Sequence, residues 1–298
     1  MLIELLAGHP AVPAGIGWQD SGSMTAVRAW TIRHRLVAFF GLTFLLSWWS
    51  WPFYALGVAP TAFFACGPVV AALVVIGVAE GGRGYRELGA RMIRWRVGWV
   101  WWCVAIGTPL AVMVLAATAN VTIWGAPAPV LAEISWAGLA AALAVRFVNP
   151  LDGPLGEEPG WRGYALPLLQ IDRTPLAAGL VLAAVVALWH LPLVATGQLA
   201  PIGLVVTFAI TLVYVWVFNR TGGSVLMTMV FHIAQGTGYA VLGFAGADAA
   251  RMDWLTGALW GALAIALIGL DRPAWRTAPA SAVASPTKTP IPVYDPEG

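Results

Sequence analysis

Residues 156–167 read GEEPGWRGYALP, a knot of charge between two long apolar runs, 130–149 and 174–198. Glu157 and Glu158 are adjacent, and Arg162 follows the second at i+4. The rest of the chain makes this stretch stand out. Of 298 residues 59% are hydrophobic and only 10% charged, with a mean hydropathy of +0.78. A soluble domain carries about 25% charged residues. A soluble fold of this length has no core large enough for so much apolar surface, so the chain reads as membrane-embedded.

Working outward, runs of about 20 apolar residues, the length of a spanning helix, lie at 36–58, 60–79, 98–119, 130–149, 174–198, 201–218, 223–245 and 254–270. The expected fold is therefore all-α, a polytopic membrane bundle of about eight helices. The fourth run carries Glu133 and the eighth is short. No fixed-period repeat is visible. The connections set an orientation, because Lys and Arg concentrate on the cytosolic side. With the N-terminus in the cytosol, fifteen of the sixteen basic residues fall on that side, and Arg251 alone falls outside. The same count places both termini in the cytosol and suits a multi-pass protein of the cell membrane.

Three parts follow. Residues 1–35 form a cytosolic arm, 36–271 the transmembrane domain, and 272–298 a cytosolic tail. The tail is rich in Pro, Ala, Ser and Thr without apolar period and reads as disordered. The arm lacks a basic region before residue 28, unlike a secretory signal, and Met24 is an alternative start. Cys66 and Cys103 both fall in apolar runs and form neither a disulfide framework nor a CxxC site. The arginines of 83–96 fit positive-inside bias with headgroup contact, so no nucleic-acid partner is implied. Many of the seventeen tryptophans, such as Trp48, Trp49 and Trp51, sit towards run ends as interfacial anchors.

Ionisable groups among apolar helices are costly and usually functional. Glu157 and Glu158 lie between the fourth and fifth runs, His190 within the fifth and His232 within the seventh; His9 and His34 are in the arm. Each has a plain structural reading. A lone histidine can bond a neighbouring helix, and Glu158 and Arg162 have the order and spacing of a helical ion pair. A helix beginning near Glu158 would place Pro159 at its first position, where proline is favoured. Glu157 has no such local partner. As a set, these groups suit hydrolysis. A carboxylate in an apolar site has a raised pKa, takes a proton from water and returns it to a leaving amine. A histidine can hold the water, and a further donor can bind the oxyanion. No GxSxG elbow, HExxH motif or P-loop is present.

The pattern Glu157-Glu158-x-x-x-Arg162 followed by GYALP resembles the first motif of the CPBP membrane proteases, the CAAX prenyl endopeptidase and bacteriocin-processing (Abi) group. LWHLP with His190 resembles their second motif, and TGGSVLMTMVFHIAQ with His232 the third. The similarity spans about 150–240. It implies an intramembrane glutamic endopeptidase acting without cofactor or metal. Glu157 would be the general base with His190 as its partner, Glu158 and Arg162 supporting members, and His232 part of the oxyanion site. Substrates would be membrane-associated peptides or proteins, prenylated or not, met in the lipid bilayer. Two positions depart from the family pattern: Val186 stands where Phe is frequent, and Gly236 where an oxyanion-binding Asn is frequent. Gln235, i+3 from His232, is the expected replacement for that amide.

Two other functions fit the same residues. His190, His232 and a glutamate form a catalytic zinc set, and a transporter or scaffold would use buried acids and histidines as relays, although the interrupted repeats that mark transporters are missing. One geometric demand is open. Counting 1.5 Å per residue, His232 would lie about 14 Å deep and His190 about 24 Å. Tilt, or a re-entrant or broken helix enclosed by protein, would bring them and Glu157 to one level.

Overall fold

The computed structural model describes residues 22–130 and 134–284. His9, Glu133, Lys288 and the tail beyond 284 lie outside the described residues. Among the described residues every regular element is helical. In chain order these are α1 (Gly22–Arg33), α2 (Arg35–Trp48), α3 (Trp51–Ala55), α4 (Gly67–Ala79), α5 (Gly82–Met92), α6 (Trp99–Trp124) and α7 (Trp136–Val148). Then come α8 (Gly153–Gly160), a π turn over Trp161–Ala165, α9 (Leu166–Leu169), α10 (Pro175–Trp189), α11 (Leu191–Ala195), α12 (Ile202–Arg220), α13 (Val225–Leu242), α14 (Gly246–Leu270) and α15 (Arg272–Arg276).

Five helical stretches are long and apolar enough to cross a membrane: 35–55, 99–124, 175–195, 202–220 and 246–270. The chain is an integral membrane protein. The other three apolar runs are also helical, but two are shorter than expected. The second begins only at Gly67, because Pro60 and the loop after it precede Pro68 in the first turn. The fourth begins at Trp136, where the Ser135 side chain accepts from the Gly138 N–H, after a non-helical stretch containing Pro127 and Pro129.

The segment 153–169 is the centre of the molecule. It packs against α4, α7 and α13, and residues 156–170 are all buried. Protein, not lipid, therefore surrounds its backbone, as a helix carrying two carboxylates requires. Small residues permit the close packing that holds membrane helices together. A Cβ on Gly160 would stand 2.4 Å from the Pro68 carbonyl oxygen, and one on Gly156 would stand 2.7 Å from that of Ala65. Aromatic rings fill the other side: Trp161 meets Phe39 and Trp189 edge-on, at centroid distances of 5.5 Å each.

Where this helix starts differs from expectation. Asp152 caps it, Pro154 takes the early position, and Pro159 lies inside the helix. Asp-Gly-Pro is the stronger start signal, pairing a capping residue with a first-turn proline. Pro159 cannot donate to the carbonyl one turn back, and the helix widens into the π turn two residues later, a distortion frequent at functional sites.

The tail also departs from expectation. Residues 272–284 are folded against the bundle rather than disordered. Trp275 and Ala282 are buried, the Gln170 side chain donates to the Ala282 carbonyl at 3.0 Å, and the Ala284 N–H donates to that of Pro167 at 3.1 Å. Arg91 clasps both parts, donating to the carbonyls of Gly163 (3.1 Å) and Val283 (3.2 Å). This basic residue of 83–96 therefore faces inward, away from headgroups. Composition alone missed the docking because the tail's backbone is bonded by distant groups, chiefly the Arg91 and Gln170 side chains.

Candidate active site

The two adjacent glutamates have different surroundings. Glu158 is fully buried, and its Oε1 accepts from Arg162 Nη1 at 3.1 Å and from His232 Nδ1 at 3.0 Å. The Arg162 guanidinium lies 4.2 Å over the Tyr214 ring and donates to Thr211 Oγ1 at 3.4 Å. Burial alone would raise the Glu158 pKa. Arg162 and the His232 hydrogen bond more than offset it and hold the carboxyl below its ordinary value.

Glu157 makes no hydrogen bond or ion pair among the described residues. One residue round the helix, its carboxylate lies over Gly153. A Cβ built on Gly153 would lie 2.8 Å from His232 Nε2, 2.9 Å from its Cε1 and 3.0 Å from Glu157 Oε1. One histidine nitrogen and one carboxylate oxygen thus converge on one point over Gly153, a close approach that only a residue without a side chain permits. Glu157 lies outside the five membrane-crossing helices. Burial pushes its carboxyl up to about 7; the charge of His232 works against this and that of Glu158 with it. Two carboxylates with opposed shifts are the usual arrangement for one structural and one proton-transferring acid.

Hydrogen bonding sets the histidine tautomers. A carboxylate oxygen only accepts, so His232 Nδ1 carries a proton and donates to Glu158. Its Nε2, over Gly153, is then an acceptor in neutral imidazole and a donor only in imidazolium. His190 sits at the break between α10 and α11. Its Nδ1 donates to the Val186 carbonyl at 2.8 Å, leaving Nε2 as the free ring nitrogen. Trp189 and Phe63 flank the ring at centroid distances of 4.9 and 6.0 Å. His190 is not hydrogen-bonded to Glu157. Gln235 is half-buried on α13 and makes no hydrogen bond among the described residues.

The structure thus brings Glu157, Glu158, Arg162 and His232 into one cluster, with His190 flanking it on a separate helix. Residues 156–169 of the segment that carries the cluster are enclosed by protein. Among the described residues no three His, Cys, Asp or Glu side chains are placed to hold one metal ion. Sequence reading missed Asp152 and Gly153, although Asp-Gly-Pro marked a helix start. It also assigned Arg146 only to the cytosolic charge count; its approach depends on the packing of α7.

No curated protein matches the chain. Residues 136–237 match the family model described as Type II CAAX prenyl endopeptidase Rce1-like. This segment runs from the start of α7 into α13 and contains every side chain of the cluster. The match covers about a third of the chain, and over that segment the chain is similar to the type II CAAX prenyl endopeptidases.

Proposed function

We propose that the protein is an intramembrane glutamic endopeptidase that hydrolyses a membrane-proximal peptide bond with water activated by Glu157. The observation that carries this reading is the convergence of Glu157 Oε1 and His232 Nε2 on one point over Gly153, beside the buried segment 156–170. A water held beside Glu157 and His232 gives a proton to Glu157 while its oxygen bonds to the substrate carbonyl carbon. The carbonyl electron pair moves onto oxygen. On collapse the C–N bond breaks, and the amine leaves with the proton from Glu157. Glu158, tied to Arg162, stays ionised and orients His232, as a buried carboxylate orients a catalytic imidazole. His232 in its cationic form, with Gln235 one turn along, donates to the oxyanion. His190 Nε2, an acceptor, holds the water or substrate from the second side.

Substrates in this reading are membrane-associated peptides, prenylated or not, approached from the cytosolic side of the cell membrane. The distribution of basic residues supports that direction. The test compares membrane-peptide products in cells carrying wild type, Glu157→Gln or His190→Ala. A product should appear with wild type and vanish with both folded variants. A product that persists in either variant removes that residue from the mechanism, and no wild-type product removes the activity itself.

A further inference from the structure

Formation of an oxyanion next to Glu157 calls for a donor that carries its proton in every state of the site. His232 does not meet this condition, because its Nε2 donates only as imidazolium. A second cation stands close by. Arg146, in the last turn of α7, reaches across to α13 and lies against the Gly236 backbone. A Cβ there would meet Arg146 Nη2 at 2.6 Å, Cζ at 3.0 Å and Nη1 at 3.1 Å. Gly236 is four residues after His232, one turn along the same helix face. Arg146 Nη2 also pairs with Asp152 Oδ1 at 3.4 Å, and the same oxygen accepts from the Gly153 N–H at 2.8 Å. The guanidinium is thereby tethered through Asp152 to the start of α8, beside Glu157 and His232. Its Nε is buried without a hydrogen-bond partner.

We propose that Arg146 is a further and the principal oxyanion donor of this enzyme, beside His232 and Gln235, its guanidinium occupying the space left open by glycine at 236. This rests on the hydrolytic reading above. The physical case is one of charge and space. A guanidinium keeps its protons at any working pH and offers several donors in a fixed plane. It is already desolvated in part and oriented by Asp152, so it needs little rearrangement as charge develops on the carbonyl oxygen. Glycine at 236 is a requirement of this arrangement, since any side chain there would displace the guanidinium. Water oxygen bonds to the carbonyl carbon, Glu157 takes the proton, and the electron pair on the former carbonyl oxygen is met by Arg146 N–H groups. When the pair returns, the amine leaves with the Glu157 proton.

The experiment uses the full-length protein in proteoliposomes and the peptide whose cleavage separates wild type from Glu157→Gln. Arg146→Ala should lower kcat about a hundredfold with KM little changed, and Gln235→Ala should cost far less. Gly236→Asn alone should also lose activity, because its Cβ would crowd the guanidinium. The double variant Arg146→Ala/Gly236→Asn should regain at least about tenfold over Arg146→Ala, the new amide taking over the donor role. An amide at 236 cannot restore an ion pair to Asp152, so this rescue separates oxyanion binding from a purely structural role. Should Arg146→Ala not fold, Arg146→Gln carries the same comparison. Three results overturn the proposal: unchanged kcat in Arg146→Ala, no gain in the double variant, or a loss wholly in KM. A KM loss that disappears when the peptide C-terminus is amidated would reassign Arg146 to a substrate carboxylate. Absence of wild-type cleavage is a different outcome and removes the hydrolytic reading together with this one.

Discussion

Replacing Gly153 with alanine adds one methyl group against the two side chains proposed to act on the water, Glu157 and His232. The added Cβ would lie 2.8 Å from His232 Nε2 and 3.0 Å from Glu157 Oε1, against about 3.4 Å or more for ordinary contacts. One of the two side chains must retreat by roughly half an ångström, and their mutual placement changes. Misplacement on the order of 1 Å in a catalytic constellation costs about a hundredfold in rate, so kcat should fall by at least that factor. Stability should change little. Gly153 is in the first turn of α8 with helical geometry, where alanine gains up to about 1 kcal/mol in propensity, offsetting the strain of moving a side-chain tip. The control is Gly261→Ala, whose added Cβ meets nothing within 4 Å. Cleavage of the identified peptide and thermal unfolding in detergent are measured on the same preparations. Wild-type turnover in folded Gly153→Ala would refute the placement of the reaction at these two side chains. A folding defect would instead show the glycine to be structural.

The pH dependence follows from Glu157. It must be ionised to act as base, so kcat/KM should fall about tenfold per unit below pH 7, its pKa being about 7; a flat profile between pH 5 and 7 would rule Glu157 out as the base. Because the folded-state value is raised, its contribution to stability is present at low pH and lost as pH rises through about 7. The rise from 4.5 to about 7 corresponds to roughly 3 kcal/mol. Glu157→Gln should therefore be the more stable protein at pH 8 and not at pH 4, as read by detergent unfolding. Arg162→Ala leaves Glu158 buried at 0% exposure without its main counter-charge and should cost about 3–5 kcal/mol, visible as lost yield and a lowered unfolding temperature; a shift under about 1 kcal/mol would make the pair dispensable.

Much of this protein was legible from local pattern. Charge-poor apolar runs announced a helical membrane protein, since lipid leaves few other ways to satisfy a backbone. The i,i+4 spacing of Glu158 and Arg162 foretold their ion pair, and the lack of a near partner for Glu157 singled that residue out. Each of these inferences uses distances fixed within a few residues of chain. Tertiary structure decided what spacing cannot reach. Glu158 rather than Glu157 receives His232, because α13 crosses α8 at that height and the two glutamates point to different sides of the helix. His190 meets the site only as a flank, its Nδ1 committed to its own helix. Arg146 and Gly236 are ninety residues apart in sequence, and only the packing of α7 on α13 shows that one fills the space the other leaves. The tail from 272 to 284 reads as unstructured because its own side chains form no apolar period, yet Arg91 and Gln170 supply the partners that order it. Sequence by itself determined which groups are available, through composition and helical period. Long-range packing determined which of them meet, because hydrogen bonds and close contacts are satisfied between helices rather than along them.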